Sequence, residues 1–470
     1  MAEPMLWVAE PEVSGEIRIV DPHDGAPLRP VPVTNVAQVD EAVARAMATK
    51  RSWHDVPIAE RAALVQRVAR VLRDRARDIA ELNHRETGRP TPEALAGVMA
   101  GIDTLEQYAQ QAPVHRGVSL NGPSSSLDLG RREPRGVVVA VTPWNDPVAV
   151  ACGLLGAALV MGNTVLHKPS ERCPATGAML GRAFADVLPD GVFHTVIGGP
   201  QVGADLVGCA GVDVVAHVGS TATGREIAGI VAENGVHFIR ENGGNDALII
   251  DDDVDAEWAA EQAAVGGFTN SGQLCTSVER VYVCERLADA FLSGLVARAN
   301  ALNAPHESAP VSLAPLVDER LREVVHEHVE DALERGARAL TGGTIPSGAG
   351  TYYPATVLVA CTNDMEVMRE ETFGPVVPVQ VCASFEDALG AASADRYGLA
   401  CTVLTHSLPH ALAAVDRMNV GTVKVNGVFG GAPGGSAQPR GFSGDGFGYG
   451  PELLDEMSHV KVVHLEGDLR

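Results

Sequence analysis

Residues Pro147 to Leu166 run for twenty positions without a charge, long enough as one helix to cross a bilayer. Gly162-Asn163 divides that run, predicting a helix from Pro147 to Met161 and a short strand from Thr164 to His167, both buried in an α/β core. Similar strand-like runs occur at Val137–Val141, His194–Ile197, Val212–Val218 and His237–Glu241, with helical patterns between most of them. Strands alternating with helices call for a parallel sheet covered on both faces. A second series follows at Ala247–Ile250, Arg280–Val283, Ala355–Val359, Val376–Val381, Ala400–Leu404 and Gly421–Val425. Upstream, Leu64, Val65, Val68, Leu72, Ala76 and Ile79 recur at three- and four-residue steps, predicting one amphipathic helix from Ile58 to Arg85. Between Val118 and Gly136 the chain turns Ser-, Gly- and Asp-rich, with a β-like piece around Ser125 to Leu129 that predicts a protruding arm. The terminal strand Val460 to Leu465 has no local partner, so it is expected to pair with that arm or with a second subunit.

Composition narrows this picture. A chain of 470 residues has room for two to four domains, and with only 4% aromatics its cores must rest on Ala, Val and Leu. The formal net charge of -24 argues against a nucleic-acid partner and disfavours an anionic membrane, because both demand clustered Lys and Arg. Eight cysteines without a CxxC pair read as a reduced, cytoplasmic set; no zinc-ligand spacing appears. The N-terminal stretch carries Glu3 and Glu10 and lacks the apolar segment of a signal peptide.

The chemistry centres on Gly266 to Val283, GGFTNSGQLCTSVERVYV, where Cys275 lies in a tight-turning polar stretch just before a strand. A nucleophilic thiol there needs a base and donors for a developing oxyanion. Glu241, at a strand end before Gly243-Gly244, is 34 residues upstream, far enough for the helix Trp258 to Gly266 to return the chain. Asn145, in Thr142-Pro143-Trp144-Asn145-Asp146-Pro147 after another strand, can offer a side-chain amide beside the cysteine's own N–H. No G-x-G-x-x-G occurs, so any dinucleotide must be held otherwise. The candidates are Lys168, Ser170 and Glu171 at one strand end, and Gly219-Ser220 at another, opening a helix whose N-terminus can take a phosphate.

Taken together, in order and at characteristic spacing, these motifs resemble the aldehyde dehydrogenase superfamily along nearly the whole chain. They are Pro143 to Asn145, Lys168 to Glu171, Gly219 to Gly224, Glu241 with Gly243-Gly244, Phe268-x-Asn270-x-Gly272-Gln273-x-Cys275, Glu371 to Pro375, Asn426 and Ser443-Gly444. The resemblance implies two doubly wound α/β domains and a small β oligomerisation arm. Residues 1–117 and 137–242 are the expected dinucleotide-binding domain, 243–445 the catalytic domain, and 118–136 with 446–470 the arm and tail. It further implies oxidation of an aldehyde to the acid by a homodimer or homotetramer: Cys275 as nucleophile, Asn145 as oxyanion donor, Glu241 activating the water that hydrolyses the thioester. Trp144, Gly243, Glu371 and Phe373 join the cofactor residues. Glu171 on the adenosine ribose would repel a 2′-phosphate, favouring NAD, although a side chain that swings aside admits NADP as well. The carboxylate base argues against a CoA-acylating relative, and the altered positions leave a catalytically idle homologue as the other alternative.

Several positions depart from the family pattern. Asp146 stands where an aromatic residue is common. It either faces the aldehyde channel with Leu274 and Thr276, favouring a polar or amino-aldehyde, or caps the helix beginning at Pro147. Leu154 and His459 replace a lysine and a glutamate linked to proton transfer around the base, so slower or more pH-sensitive deacylation is expected. Asn242 and Asn245 replace a leucine and a lysine, and Gln438 to Gly444 lacks the paired glycines and lysine of the usual motif.

Overall fold

A computed structural model of the chain describes residues 15–122, 126–305, 309, 311–430 and 438–466. Two twisted sheets organise it. The first has six strands in the order Gly444–Asp445, His237–Glu241, Val214–Val218, Val137–Val141, Thr164–Lys168 and Phe193–Thr195, parallel except for the first pair. From Val137–Val141 the chain winds outward one way to Phe193–Thr195, then returns to the other side through Val214–Val218. The crevice at this reversal is where α/β sheets bind nucleotides.

Helices cover both faces because the central strands are apolar on both. Val137, Val138, Val139 and Ala140 are all buried, feeding two separate cores. The helix Pro147–Met161 has no polar face and lies in the larger core, ending at Gly162, whose φ of +96° makes the turn into Thr164–Lys168. Among the described residues no helix is long and apolar enough to cross a membrane.

The second sheet has seven strands in the order Arg338–Thr341, Thr356–Val359, Val376–Cys382, Val278–Cys284, Asp246–Ile250, Ala400–Leu404 and Thr422–Val425, parallel except for the first pair. It too is packed on both faces. A third, antiparallel sheet joins Val118–Leu120, Ser126–Pro134 and Ser458–Glu466. The terminal strand therefore pairs with the arm of its own chain, from Ser458 opposite Pro134 to Glu466 opposite Ser126. Ser125 itself lies outside the described residues.

Two sequence expectations change. The segment Ile58 to Arg85 forms two helices, Ile58–Asp74 and Ala76–Thr87, broken at Arg75 (φ -102°, ψ 5°). Hydrophobic spacing carries through the break with no Gly or Pro to mark it, so periodicity could not reveal it. The tail beyond residue 445 is also not all arm. Gly444–Asp445 extends the first sheet, and Leu453, Leu454 and Met457 pack in its core.

Candidate active site

The helix Ala256–Phe268 runs into a turn, Thr269–Gly272, in which Asn270, Ser271 and Gly272 have φ of 49°, 55° and 75°. Consecutive left-handed residues are costly unless their surroundings over-determine them. Ser271 Oγ donates to the Ala314 carbonyl (2.7 Å), Gln273 Nε2 to the Asn270 carbonyl (3.0 Å), and the Val317 N–H to Gln273 Oε1 (2.9 Å). Gly272 has no alternative, because a Cβ there would lie 2.1 Å from the Gly374 carbonyl oxygen. The outcome is a clamped loop, buried from Asn270 to Gln273 and again at Ser277, that leaves Leu274, Cys275 and Thr276 partly exposed.

Asn145 comes to this loop from the first sheet. Its Nδ2 donates to the Gln273 carbonyl (3.1 Å), an acceptor shared with Asn270 Nδ2 (3.3 Å). Glu241 ends the strand His237–Glu241, and its backbone is pinned from both sides: its carbonyl accepts from the Gly219 N–H (3.0 Å), while Gly444 pairs with it across the sheet. Asn242 extends the clamp, donating from Nδ2 to the Phe442 carbonyl (2.8 Å). The Glu241 carboxyl has no hydrogen-bond partner among the described residues, and burial alone raises its pKa. Gly448 abuts it, since a Cβ there would lie 2.3 Å from Glu241 Oε2.

Burial pushes the Cys275 thiol well above its ordinary pKa, and the carboxylates of Glu241, Asp246 and Glu371 add to that push against an opposing Lys424. Burial likewise raises Asp246 to about 7 and Glu371 to about 8. Burial and the neighbouring carboxylates both disfavour the thiolate in the resting site. Glu279, which sequence reasoning missed, ties this cluster together: its buried carboxyl accepts from the N–H groups of Thr372 (3.0 Å) and Phe373 (3.1 Å). The signal was present as a lone acid in the apolar strand Val278–Cys284.

The neighbouring crevice fits a dinucleotide. Lys168 Nζ lies 3.2 Å from Glu171 Oε2, and this lysine with Arg172 outweighs burial to hold the Glu171 carboxyl below the usual range. Ser170 is buried beside them, its Oγ accepting from the Arg172 N–H (3.3 Å). Ser220 caps the helix Thr221–Asn234, its Oγ accepting from the Thr223 N–H, while the buried Thr221 Oγ1 in that first turn has no partner among the described residues. Gly219 closes the preceding strand against the His217 ring. Gly243 leaves a cradle that a Cβ would fill, 1.9 Å from Glu371 Oε2, and the Gly244 N–H donates to Glu371 Oε1 (2.9 Å). Trp144 meets the Phe373 ring edge-on at 5.6 Å, with the Arg172 guanidinium 5.3 Å from its centre. Phe373 has a φ of 55°, which Glu279 stabilises through the hydrogen bond to its N–H.

Two expectations are corrected, at Asp146 and His459. Asp146 makes no side-chain cap on the helix Pro147–Met161; its Oδ1 instead lies 2.8 Å from Arg89 Nη1. A carboxylate already paired with a guanidinium does not by itself favour a cationic aldehyde. Leu154 is buried in the helical core. His459 is exposed on the arm strand, opposite Glu133, so it is not the group beside Glu241; that position belongs to Gly448. Sequence reasoning missed Gly448, whose only cue is the crowded Gly444-Asp445-Gly446-Phe447-Gly448 run.

These features define a cysteine site set against a dinucleotide crevice. The model of the aldehyde dehydrogenase family matches residues 7–463, and the chain belongs to that family. It is 35% identical over 416 residues to benzaldehyde dehydrogenase [NAD(+)] of Pseudomonas putida, covering 88% of this chain and 85% of that one. Among solved structures, a putative aldehyde dehydrogenase from Burkholderia cenocepacia superposes with a TM-score of 0.92 at 32% identity, over 97% of this chain and 95% of the other. PnpE in complex with nicotinamide adenine dinucleotide superposes with a TM-score of 0.92 at 30% identity, with the same coverage. The protein is an NAD(P)-dependent aldehyde dehydrogenase.

Proposed function

We propose that the enzyme oxidises its aldehyde through a thioester on Cys275 that water then hydrolyses. The observation that carries this reading is the Glu241 carboxyl, without a hydrogen-bond partner among the described residues, whose charge bears on a partly exposed thiol in a clamped loop. The Cys275 sulfur, once deprotonated, adds to the carbonyl carbon, and the resulting oxyanion accepts from the Asn145 amide. NAD, when bound, supplies the hydride acceptor. Glu241 then takes a proton from the water that attacks the thioester, releasing the carboxylic acid and the Cys275 thiol. Trp144, Lys168, Ser170, Glu171, Gly219, Ser220, Gly243, Glu371 and Phe373 hold the cofactor. The Lys168–Glu171 pair supports NAD over NADP, because a 2′-phosphate would meet the carboxylate. Leu274 and Thr276 line the aldehyde passage, and the similarity to a benzaldehyde dehydrogenase makes benzaldehyde the first substrate to try.

We assign residues 15–117, 137–242 and 444–457 to the dinucleotide-binding domain, 243–443 to the catalytic domain, and 118–136 with the terminal strand to an oligomerisation arm. Val118, Leu120, Leu127, Val460 and Val462 are exposed on that arm, which supports its burial against a second copy in a dimer or tetramer. Light scattering of the arm variant Val462→Glu against the wild type tests that assignment; unchanged mass would refute it. The free, unpaired state of all eight cysteines suits a cytoplasmic setting.

The chemical reading is tested by NADH formation from benzaldehyde and NAD, without CoA, for wild type and Cys275→Ser, with benzoate identified chromatographically. Benzoate formed by the wild type and lost in the variant is expected. A strict requirement for CoA would establish acyl transfer instead.

A further inference from the structure

Arg89, just before the helix Thr91–Gln111, has two partners on the turn that carries the oxyanion asparagine. Its Nη1 lies 2.8 Å from Asp146 Oδ1 and donates to the Asn145 carbonyl at 3.1 Å. The guanidinium side chain is only 10% exposed, whereas Asp146 keeps 26%. Gly97, on that helix, provides the room: a Cβ there would lie 2.4 Å from Asp146 Oδ1 and 3.1 Å from Arg89 Nη1. Glu93, on the same helix, is the other acid facing Arg89, and it also meets the backbone of Asn270 in the nucleophile loop. One guanidinium thus links the helix, the Asn145 turn and, through Asn145 Nδ2, the loop bearing Cys275.

Removing one member of a largely buried ion pair leaves the other's charge uncompensated, which is far costlier than the pair's net worth. A closed pair presents little net charge to a substrate beside it. An ammonium on the aldehyde must compete with Arg89 for Asp146, and a carboxylate must compete with Asp146 for Arg89.

We propose that the Arg89–Asp146 pair is the charge selector of the aldehyde passage and the tether of Asn145, closed so that the enzyme prefers uncharged aldehydes. This rests on the reading of Cys275 as nucleophile, Asn145 as oxyanion donor and Asp146 as a wall of the aldehyde passage beside Leu274 and Thr276. Its signature is reciprocal. Opening the pair from one side creates a preference for anionic aldehydes, and opening it from the other creates a preference for cationic ones. Arg89 is a positioning residue here, acting on kcat through the Asn145 backbone.

The test compares kcat and KM of wild type, Asp146→Ala, Arg89→Met and Arg89→Lys for benzaldehyde, succinic semialdehyde and 4-aminobutanal, with thermal unfolding of each protein. The wild type should favour benzaldehyde over both charged substrates. Asp146→Ala should raise the kcat/KM ratio of succinic semialdehyde to benzaldehyde about tenfold, and Arg89→Met should raise that of 4-aminobutanal by a similar factor. Arg89→Met should also lower kcat for benzaldehyde more than it raises KM, with partial rescue by Arg89→Lys. If Arg89→Met does not fold, Gly97→Ala pushes a methyl group against the Asp146 carboxylate and should shift selectivity towards cations. Ratios that stay flat, or that move in the same direction for both openings, overturn the proposal. Cys275→Ser separates the two readings: retained NADH formation in that variant defeats the site itself, whereas its loss together with flat ratios defeats only the selector.

Discussion

Two glutamates whose pKa is raised by their surroundings show opposite uses of the same side chain. Glu86, at the end of the helix Ala76–Thr87, accepts from the Ala175 N–H (2.8 Å), the Thr176 N–H (2.7 Å) and Thr176 Oγ1 (2.6 Å), tying that helix to the start of Pro174–Ala185. Glu241 accepts from nothing among the described residues. Burial raises the pKa of both, but in Glu86 three donors pull the other way. A carboxylate that is fully satisfied is an anchor; one held in place only by its backbone keeps its lone pairs for a reacting molecule.

The largest effect that can break this comparison is in turnover. Glu241→Gln should lower steady-state kcat about 10²–10⁴-fold while leaving the melting temperature unchanged or higher. The pH sign follows from its raised folded pKa. Protonation of Glu241 favours the folded state fully below its unfolded pKa of about 4.5, and that contribution is lost as pH rises through the folded value. The stability gain of Glu241→Gln should therefore appear above the folded pKa and vanish at low pH, as urea titrations at several pH values would show. By the same protonation, wild-type turnover should fall on acidification through a limb above the ordinary glutamate range; a limb within or below that range contradicts it.

The anchor should respond in the opposite currency. Glu86→Ala leaves three donors without their acceptor and should cost about 2–4 kcal/mol of stability in denaturant titrations, with kcat of the folded protein within about twofold of wild type. Gly448→Ala sharpens the comparison with less force. The added methyl must displace the Glu241 carboxyl, so kcat should fall about tenfold with the KM for NAD unaltered. The smallest effect belongs to His459→Ala, which should change stability by less than about 0.5 kcal/mol and leave kcat untouched, since that ring faces solvent on the arm.

The elements most legible in the sequence are those with sharp punctuation. Pro147–Met161 and Ala400–Leu404 have the bounds their apolar runs predict, because Gly162-Asn163 and the flanking polar residues end them. The Arg75 break was not legible, since a helix can turn without losing its hydrophobic period. The Cys275, Glu241 and Asn145 stretches stood out as motifs, and the fold brings their elements together. What supports them did not stand out, because Arg89, Glu279 and Gly448 act through contacts that span tens to hundreds of residues. Asp146 illustrates the limit: the sequence readings placed it in the channel or on the helix cap, and only tertiary structure reveals the guanidinium that occupies it.

The most direct measurement mixes Glu241→Gln with excess NAD and benzaldehyde, follows NADH by stopped flow, and then digests the protein for mass spectrometry. A burst approaching one NADH per subunit, a stalled steady state, and a benzoyl group on the peptide carrying Cys275 are expected. Undiminished steady turnover, or a burst with the acyl group on any other cysteine, would contradict a Cys275 thioester that Glu241 helps to hydrolyse.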